Sequence, residues 1–191
     1  MLEYNDAVIE SGDFLIATPA MRDANFHRTV ILICDHDDEG TFGLVLNRST
    51  GISIEKVFEQ MGPEIADACS LFFGGPVDQE RVFAIRRGVP QETAGEQVGK
   101  GMFLPKDLAG SVDQICSGND LLKKYRFFVG YAGWDAGQLE QELEEQAWIA
   151  VSGIEDLIFD TEPEQLWMQA LRTLGGEQTL WSMMPADPEW N

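Results

Sequence analysis

Cys34, His36 and Asn47 are the residues whose types and spacing come nearest to catalytic chemistry. Residues two apart in a strand point to the same face, about 6.6 Å apart along the chain. A returning strand that ends at Asn47 would complete a Cys-His-Asn set of the kind used by thiol nucleophiles. The spacing is awkward, because parallel side chains at i and i+2 do not bring a thiol within hydrogen-bond reach of an imidazole. The plainer reading makes Cys34 a buried apolar residue and places His36 at the wet end of its strand. A second group, Met21, Asp23, Phe26, His27 and Arg28, lies on an irregular loop between two strands, where binding residues concentrate. Arg48 follows Asn47 and belongs to the same candidate ligand site. Ordinary loop packing and capping is the competing account of this group.

The remaining candidates are weaker. Cys34-x-His36 supplies two metal ligands without a third or fourth nearby. Asp35, Asp37, Asp38 and Glu39 lack the alternation and distal Glu of a calcium loop, so they read as a solvated acidic turn. No metal and no cofactor is expected. Gly74-Gly75-Pro76-Val77 is neither a dinucleotide fingerprint nor a P-loop, and reads as a tight turn or a close approach of backbones. Gly130-x-x-Gly133-Trp134 is expected between a strand and a helix, where an anion could dock. Asp135, Glu140 and Glu142 already put negative charge there. Trp134 would either line an apolar pocket or fill the core, and core is the simpler assignment.

The elements that must position these residues are legible from period and punctuation. Asp13–Ala17, 29–35 and 41–47 read as strands, the last two joined by the Asp37–Gly40 turn as a hairpin. Ile52-Ser53 is expected to open a helix capped by Ser53 and ended by Gly62. Strands follow at 70–73 and 81–85. Residues 88–101 form a polar, Gly-rich loop. Lys106 to Cys116 reads as a helix, 126–129 as a strand, and Asp135 with Gln138 as the capping box of an acidic helix carrying Leu139 and Leu143. Trp148–Ser152 is a strand. A second capping box, Thr161 and Glu164, precedes Leu166, Trp167, Ala170, Leu171 and Leu174 at helical spacing, with Gly175 as the stop. Strands and helices sharing one core give an α+β class with a mixed sheet, in one domain spanning residues 1–191.

These strings resemble the AlgH/YqgE family of bacterial proteins. The likeness is carried in order by Gly12 to Met21 (GDFLIATPAM), Phe26, Thr29-Val30, Cys34, His36, Gly43 to Asn47 (GLVLN), Gly74 to Val77 (GGPV), Gly130 to Trp134 (GYAGW), Gly137 to Glu140 (GQLE) and the terminal DPEWN. The resemblance implies one α+β domain with a strongly curved, mainly antiparallel β-sheet packed by helices. It also implies the label of transcriptional regulator, from a genetic link to alginate control in one branch. It supplies no reaction and no ligand to place on particular residues.

Composition narrows the partners. Thirteen Lys and Arg face 33 Asp and Glu in 191 residues, a formal net charge of −20. From Phe127 onward there are 13 acids and one base, Arg172. Direct nucleic-acid binding, which gains affinity by setting Lys and Arg against phosphates, is disfavoured. Bases cluster only at Arg86-Arg87 and in the run Lys123-Lys124-Tyr125-Arg126. The Arg81, Arg86, Arg87 strand is the one β-type route to a DNA contact. Three widely spaced cysteines without a C-x-x-C suit reduced thiols, the amino end has no basic leader, and no run of ~18 apolar residues offers a membrane span. A cytoplasmic, membrane-free location is therefore expected. The reading that follows is a non-enzymatic regulatory or binding module with a protein or small-molecule partner of unknown identity. Direct DNA binding, and a hydrolase-like enzyme using Cys34, His36 and Asn47, are the alternatives.

Overall fold

The computed structural model describes residues 9–62, 65, 69–88 and 95–185. The leader reading, part of the loop expected at 88–101 and the terminal DPEWN string lie outside the described residues. Among the described residues ten strands form one sheet: β1 (Asp13–Ala17), β2 (Val30–Asp37), β3 (Gly40–Val45), β4 (Ser49–Ser53), β5 (Ser70–Phe73), β6 (Val77–Arg87), β7 (Gly95–Gln97), β8 (Met102–Pro105), β9 (Tyr125–Asp135) and β10 (Trp148–Ser152). The helices among the described residues are α1 (Leu108–Ser117), α2 (Gln138–Glu144), α3 (Glu155–Phe159), α4 (Pro163–Leu174) and α5 (Gly176–Trp181).

The strand order is β10-β1-β2-β3-β9-β6-β8-β7, with β4 on β5 and β5 on β9. Every pairing is antiparallel except β5 with β9. The sheet is therefore mixed and mainly antiparallel, and it curls into a partial barrel as the resemblance implied. The pivot is β9. Its first half lies between β5 and β6, and its second half runs beside β3. Gly130 has φ +69 at this change of neighbours, and a Cβ there would collide with the Gly75 carbonyl. Gly74 and Gly75 meet the backbone of Gly130 and Tyr131 in the same way, so this is a close approach of backbones that side chains would forbid.

Alternation along β1 and β2 sets the layers. Phe14, Ile16, Val30 and Leu32 face a core closed by Leu157, Ile158 of α3 and Leu166, Trp167, Ala170, Leu171 of α4. Leu15, Ala17, Ile31 and Ile33 face the opposite layer, closed by Leu139 of α2 with Trp134 and Trp148. A third cluster joins Phe127 and Leu71 to Val112 and Ile115 of α1. Each fully buried aliphatic or aromatic side chain contributes about 1.5–3 kcal/mol, which is what holds so curved a sheet with layers on both faces.

Five expectations need correction. The stretch after Ile52 is not a helix to Gly62: residues 49–53 pair with β5, and only the single turn Ile54–Lys56 follows, with Ser53 accepting from Glu55 N. The 88–101 segment is not all loop, since Gly95–Gln97 pairs with β8. The 126–129 strand continues to Asp135, because the chain past Gly130 finds β3 as a new partner. In α4 the N-cap is Glu162 with Pro163 next, and no side chain caps it, so the Thr161–Glu164 box does not form. In α2 only half of the expected box is made: Gln138 Oε1 accepts from Asp135 N at 3.1 Å, and Gly137 is the N-cap.

Candidate functional site

A β-bulge decides the fate of Cys34 and His36. Ile33 pairs with Gly43 but Asp35 pairs with Phe42, so Cys34 is the extra residue and the alternation of faces slips by one. Cys34 is 3% exposed inside the α3/α4 core, and its Sγ reaches only the Leu32 carbonyl, at 3.7 Å. Burial pushes the thiol pKa far up, with Asp35 and Glu96 adding to the effect. His36 lies across from Thr41, which lies across from Trp134 of the opposite layer. Directly opposed residues share a face, so the thiol and the imidazole are on different faces. His36 Nδ1 instead meets Thr41 Oγ1 at 2.7 Å, with Nε2 3.5 Å from Glu140.

Asn47 is wholly engaged in tying two segments together. Its Oδ1 accepts from Val30 N at 3.0 Å and its Nδ2 donates to the Arg28 carbonyl at 3.0 Å. It acts as a side-chain extension of the β2–β3 ladder. The Cys-His-Asn set is not assembled.

The loop group does come together, as packing and clamps. Asp23 organises a turn, its Oδ1 accepting from Asn25 N at 2.7 Å and its carbonyl from Phe26 N and His27 N. Phe26 stacks on Trp134 at 6.2 Å and stands edge-on to Trp148 at 5.8 Å, with Met21 buried in the same cluster. Trp134 is thus core. His27 Nδ1 faces the Met21 carbonyl at 3.4 Å, and Arg48 donates to the His27 carbonyl at 2.5 Å. Arg28 has φ +56, lies 4.3 Å over the Trp167 ring and donates to the Met184 carbonyl at 2.8 Å. Burial lowers its pKa. These residues pin the loop and the carboxy-terminal segment to the sheet.

The acidic turn is likewise explained locally, with Asp37 Oδ1 accepting from Glu39 N and Gly40 N at 2.8 and 3.2 Å. Among the described residues no three His, Cys, Asp or Glu are placed to hold a metal ion.

A concave site lies beside β5, β6 and β9. The two base-rich runs of the sequence are brought into register there, Arg86 opposite Tyr125 and Ile85 opposite Arg126. They border a cleft of about 420 Å³ whose floor is Cys69, Ser70 and Phe72 and whose wall is Phe159, Asp160 and Glu162. Arg87, Lys123 and Arg126 also line it. The volume falls within the ~300–1,000 Å³ of small-molecule sites.

The three cations differ in what they already hold. Arg87 donates to Asp160 at 2.9 and 2.7 Å and also to Asp156, with Glu155 4.0 Å away. The Asp160 hydrogen bond raises the pKa of Arg87, and the Arg87 hydrogen bond in turn lowers that of Asp160. Arg126 lies 5.0 Å over the Phe72 ring and donates to one protein acceptor among the described residues, the Thr161 carbonyl at 3.2 Å. Burial lowers its pKa, partly offset by Glu162 and Asp160 beyond contact distance. Lys123 is exposed at the rim. Cys69, 8% exposed, has its thiol pushed up to about 11 by burial, with Arg126 opposing.

Sequence reasoning flagged both base-rich runs but set them apart, because strand pairing between residues 40 apart leaves no local signal. The Cys69, Phe72 and Phe159 contributions had no signal at all in a single chain.

Comparison with known proteins fits this architecture. A family model described as AlgH-like matches residues 14–179. Relatives named UPF0301 protein include one from Cytophaga hutchinsonii, 35% identical over 96% of this chain and 100% of its own. Another, from Thermobifida fusca, is 34% identical over 100% of both chains. Among solved structures, a crystal structure of a Corynebacterium diphtheriae protein superposes with a TM-score of 0.78 at 24% identity, covering 95% of each chain. The solution structure of the AlgH protein from Pseudomonas aeruginosa gives 0.72 at 29% identity, covering 95% of this chain and 98% of that one.

Proposed function

The chain belongs to the AlgH-like family, and from that membership we propose that it is a non-enzymatic binding module of regulatory type, one cytoplasmic domain acting through a small-molecule or protein contact. The observation that carries the reading is a ready cleft on a chain whose Cys34, His36 and Asn47 are held apart. Cys34 is sealed in the core on the face opposite His36, and Asn47 holds backbone. The cleft beside Arg126 has the size and mixed lining of a ligand site. Three unpaired cysteines support a reducing compartment. No helix among the described residues is long and apolar enough to cross a membrane. The net charge of −20 argues against phosphate backbones as the partner.

A thermal-shift panel of metabolites, nucleotides and metal ions on the purified protein tests this. A ligand at 100 times its Kd stabilises by about 2.7 kcal/mol, a midpoint shift of roughly 5–10 °C for a chain of this size. A reproducible hit whose shift is lost on altering a residue of the cleft is expected. Salt-sensitive binding to a defined promoter fragment would overturn the reading in favour of direct DNA control, as turnover of a hit would in favour of an enzyme.

A further inference from the structure

The cleft's charge is local and incompletely satisfied, which defines what fits it. Its lining holds three bases, Arg87, Lys123 and Arg126, and two acids, Asp160 and Glu162. Arg87 is spent on the carboxylates of α3 and of Asp160, just beyond it. Arg126 is the contrast. Its guanidinium carries five N–H donors in a planar fork, and among the described residues it meets one protein acceptor, the Thr161 carbonyl. No carboxylate of a described residue comes within 4.0 Å of it, although Glu162 stands at the same rim. Phe72 beneath the guanidinium fixes its plane.

Phe72, Phe159 and Leu122 supply the apolar part of this mixed lining. The amino end of the 12-residue α4, through Glu162 and Pro163, closes one side without a side-chain cap. A helix amino end favours negative charge.

We propose that this cleft is a site for a small monocarboxylate with an aromatic or other apolar body, its carboxylate held by the fork of Arg126 with Lys123 at the rim. The inference rests on the binding-module reading and names its ligand class. The geometry explains each part of the choice. A planar fork matches a carboxylate in a bidentate pair, and the half-buried Phe159 borders the space for the apolar body. The rim carboxylate of Glu162, within a chain of net charge −20, works against a phosphate dianion.

Amide NMR titrations of the full-length ¹⁵N-labelled protein with benzoate, phenyl phosphate and benzyl alcohol test it. Benzoate is expected to shift the Ser70, Phe72 and Arg126 signals saturably, while benzyl alcohol leaves them in place. Arg126→Gln should weaken benzoate by roughly ten-fold or more, the loss of a charge-assisted pair. Lys123→Ala, at an exposed position that the fold does not need, should weaken it by about two- to five-fold and keeps the test open if Arg126→Gln unfolds. The proposal is overturned if benzoate moves none of these signals, or if both variants bind it as tightly as the parent protein. Tighter binding of phenyl phosphate overturns the carboxylate assignment in favour of a phosphate ester. Benzyl alcohol filling the cleft independently of Arg126 overturns it too, yet leaves the binding-module reading standing. Silence from these probes and from the metabolite panel together removes both.

Discussion

Glu142 shows how much one side chain can organise. Its Oε2 accepts from Trp134 Nε1 at 3.0 Å and from Trp148 Nε1 at 2.7 Å, and its Oε1 accepts from Gln138 at 2.9 Å. The two indoles are 5% and 3% exposed, so neither N–H has water as a ready substitute. Glu142→Ala would orphan both donors at about 1–3 kcal/mol each, for a total loss of roughly 2–6 kcal/mol. Glu142→Gln keeps one acceptor oxygen and should lose about half as much. Urea unfolding followed by tryptophan fluorescence checks both values. An alanine variant within 0.5 kcal/mol of the parent would mean that the indoles find other acceptors. At this scale the sequence was a partial guide. Trp134 as core was legible as the simpler assignment, whereas its tie to Glu142 was not, because in sequence Glu142 reads only as negative charge near a helix start. The Cys34–His36 pairing failed for a reason invisible in spacing: one bulge reverses the parity that places i and i+2 on one face.

Among the elements, β9 carries the heaviest demand, since it must leave β5 and take up β3 without breaking. Gly130 meets it with φ +69 and no side chain against the Gly75 carbonyl. Gly130→Ala combines an unfavourable backbone conformation with a collision between main chains that no rotamer relieves. A loss of about 2–4 kcal/mol is expected, read as a lower denaturation midpoint with an unchanged slope. A loss below 1 kcal/mol would show that β5 and β9 can separate cheaply. The glycine string itself was visible in the sequence, and the close-approach reading of Gly74-Gly75 holds. Its partner string was misplaced because Gly-x-x-Gly ordinarily punctuates a chain, and only a strand two layers of sequence away turns it into a pivot. Helices with strong apolar period were legible for the opposite reason, their signal being local: Leu166, Trp167, Ala170 and Leu171 all face the core. The residues after Ile52 misled because Ser53 offers a true cap to a turn too short to be a helix.

At the scale of the molecule two electrostatic effects oppose each other. The net charge of −20 makes the folded chain repel itself, and salt screens that repulsion. The pairs of Arg87 with Asp156 and Asp160 attract, and salt weakens them. Both partners are surface carboxylates, 71% and 58% exposed, so each pair is worth about 0–1 kcal/mol once solvent screening is counted. Self-repulsion should therefore dominate, and the melting midpoint at pH 7.5 should rise between 20 and 500 mM sodium chloride (on the order of a few degrees). The Arg87 contribution can be separated by pH. Hydrogen bonding to Arg87 depresses the Asp160 pKa below its ordinary value of 3.8, so its share of stability is present above that value and lost as pH falls through the depressed one. The stability gap between the parent protein and Arg87→Ala should then stay constant from about pH 7 to pH 5 and close only below about pH 4. Chemical denaturation across that range measures it. A gap that closes near pH 6 would point to a titrating group other than this carboxylate pair. A midpoint that falls with salt would mean that the paired cations at the cleft outweigh the field of the whole acidic chain.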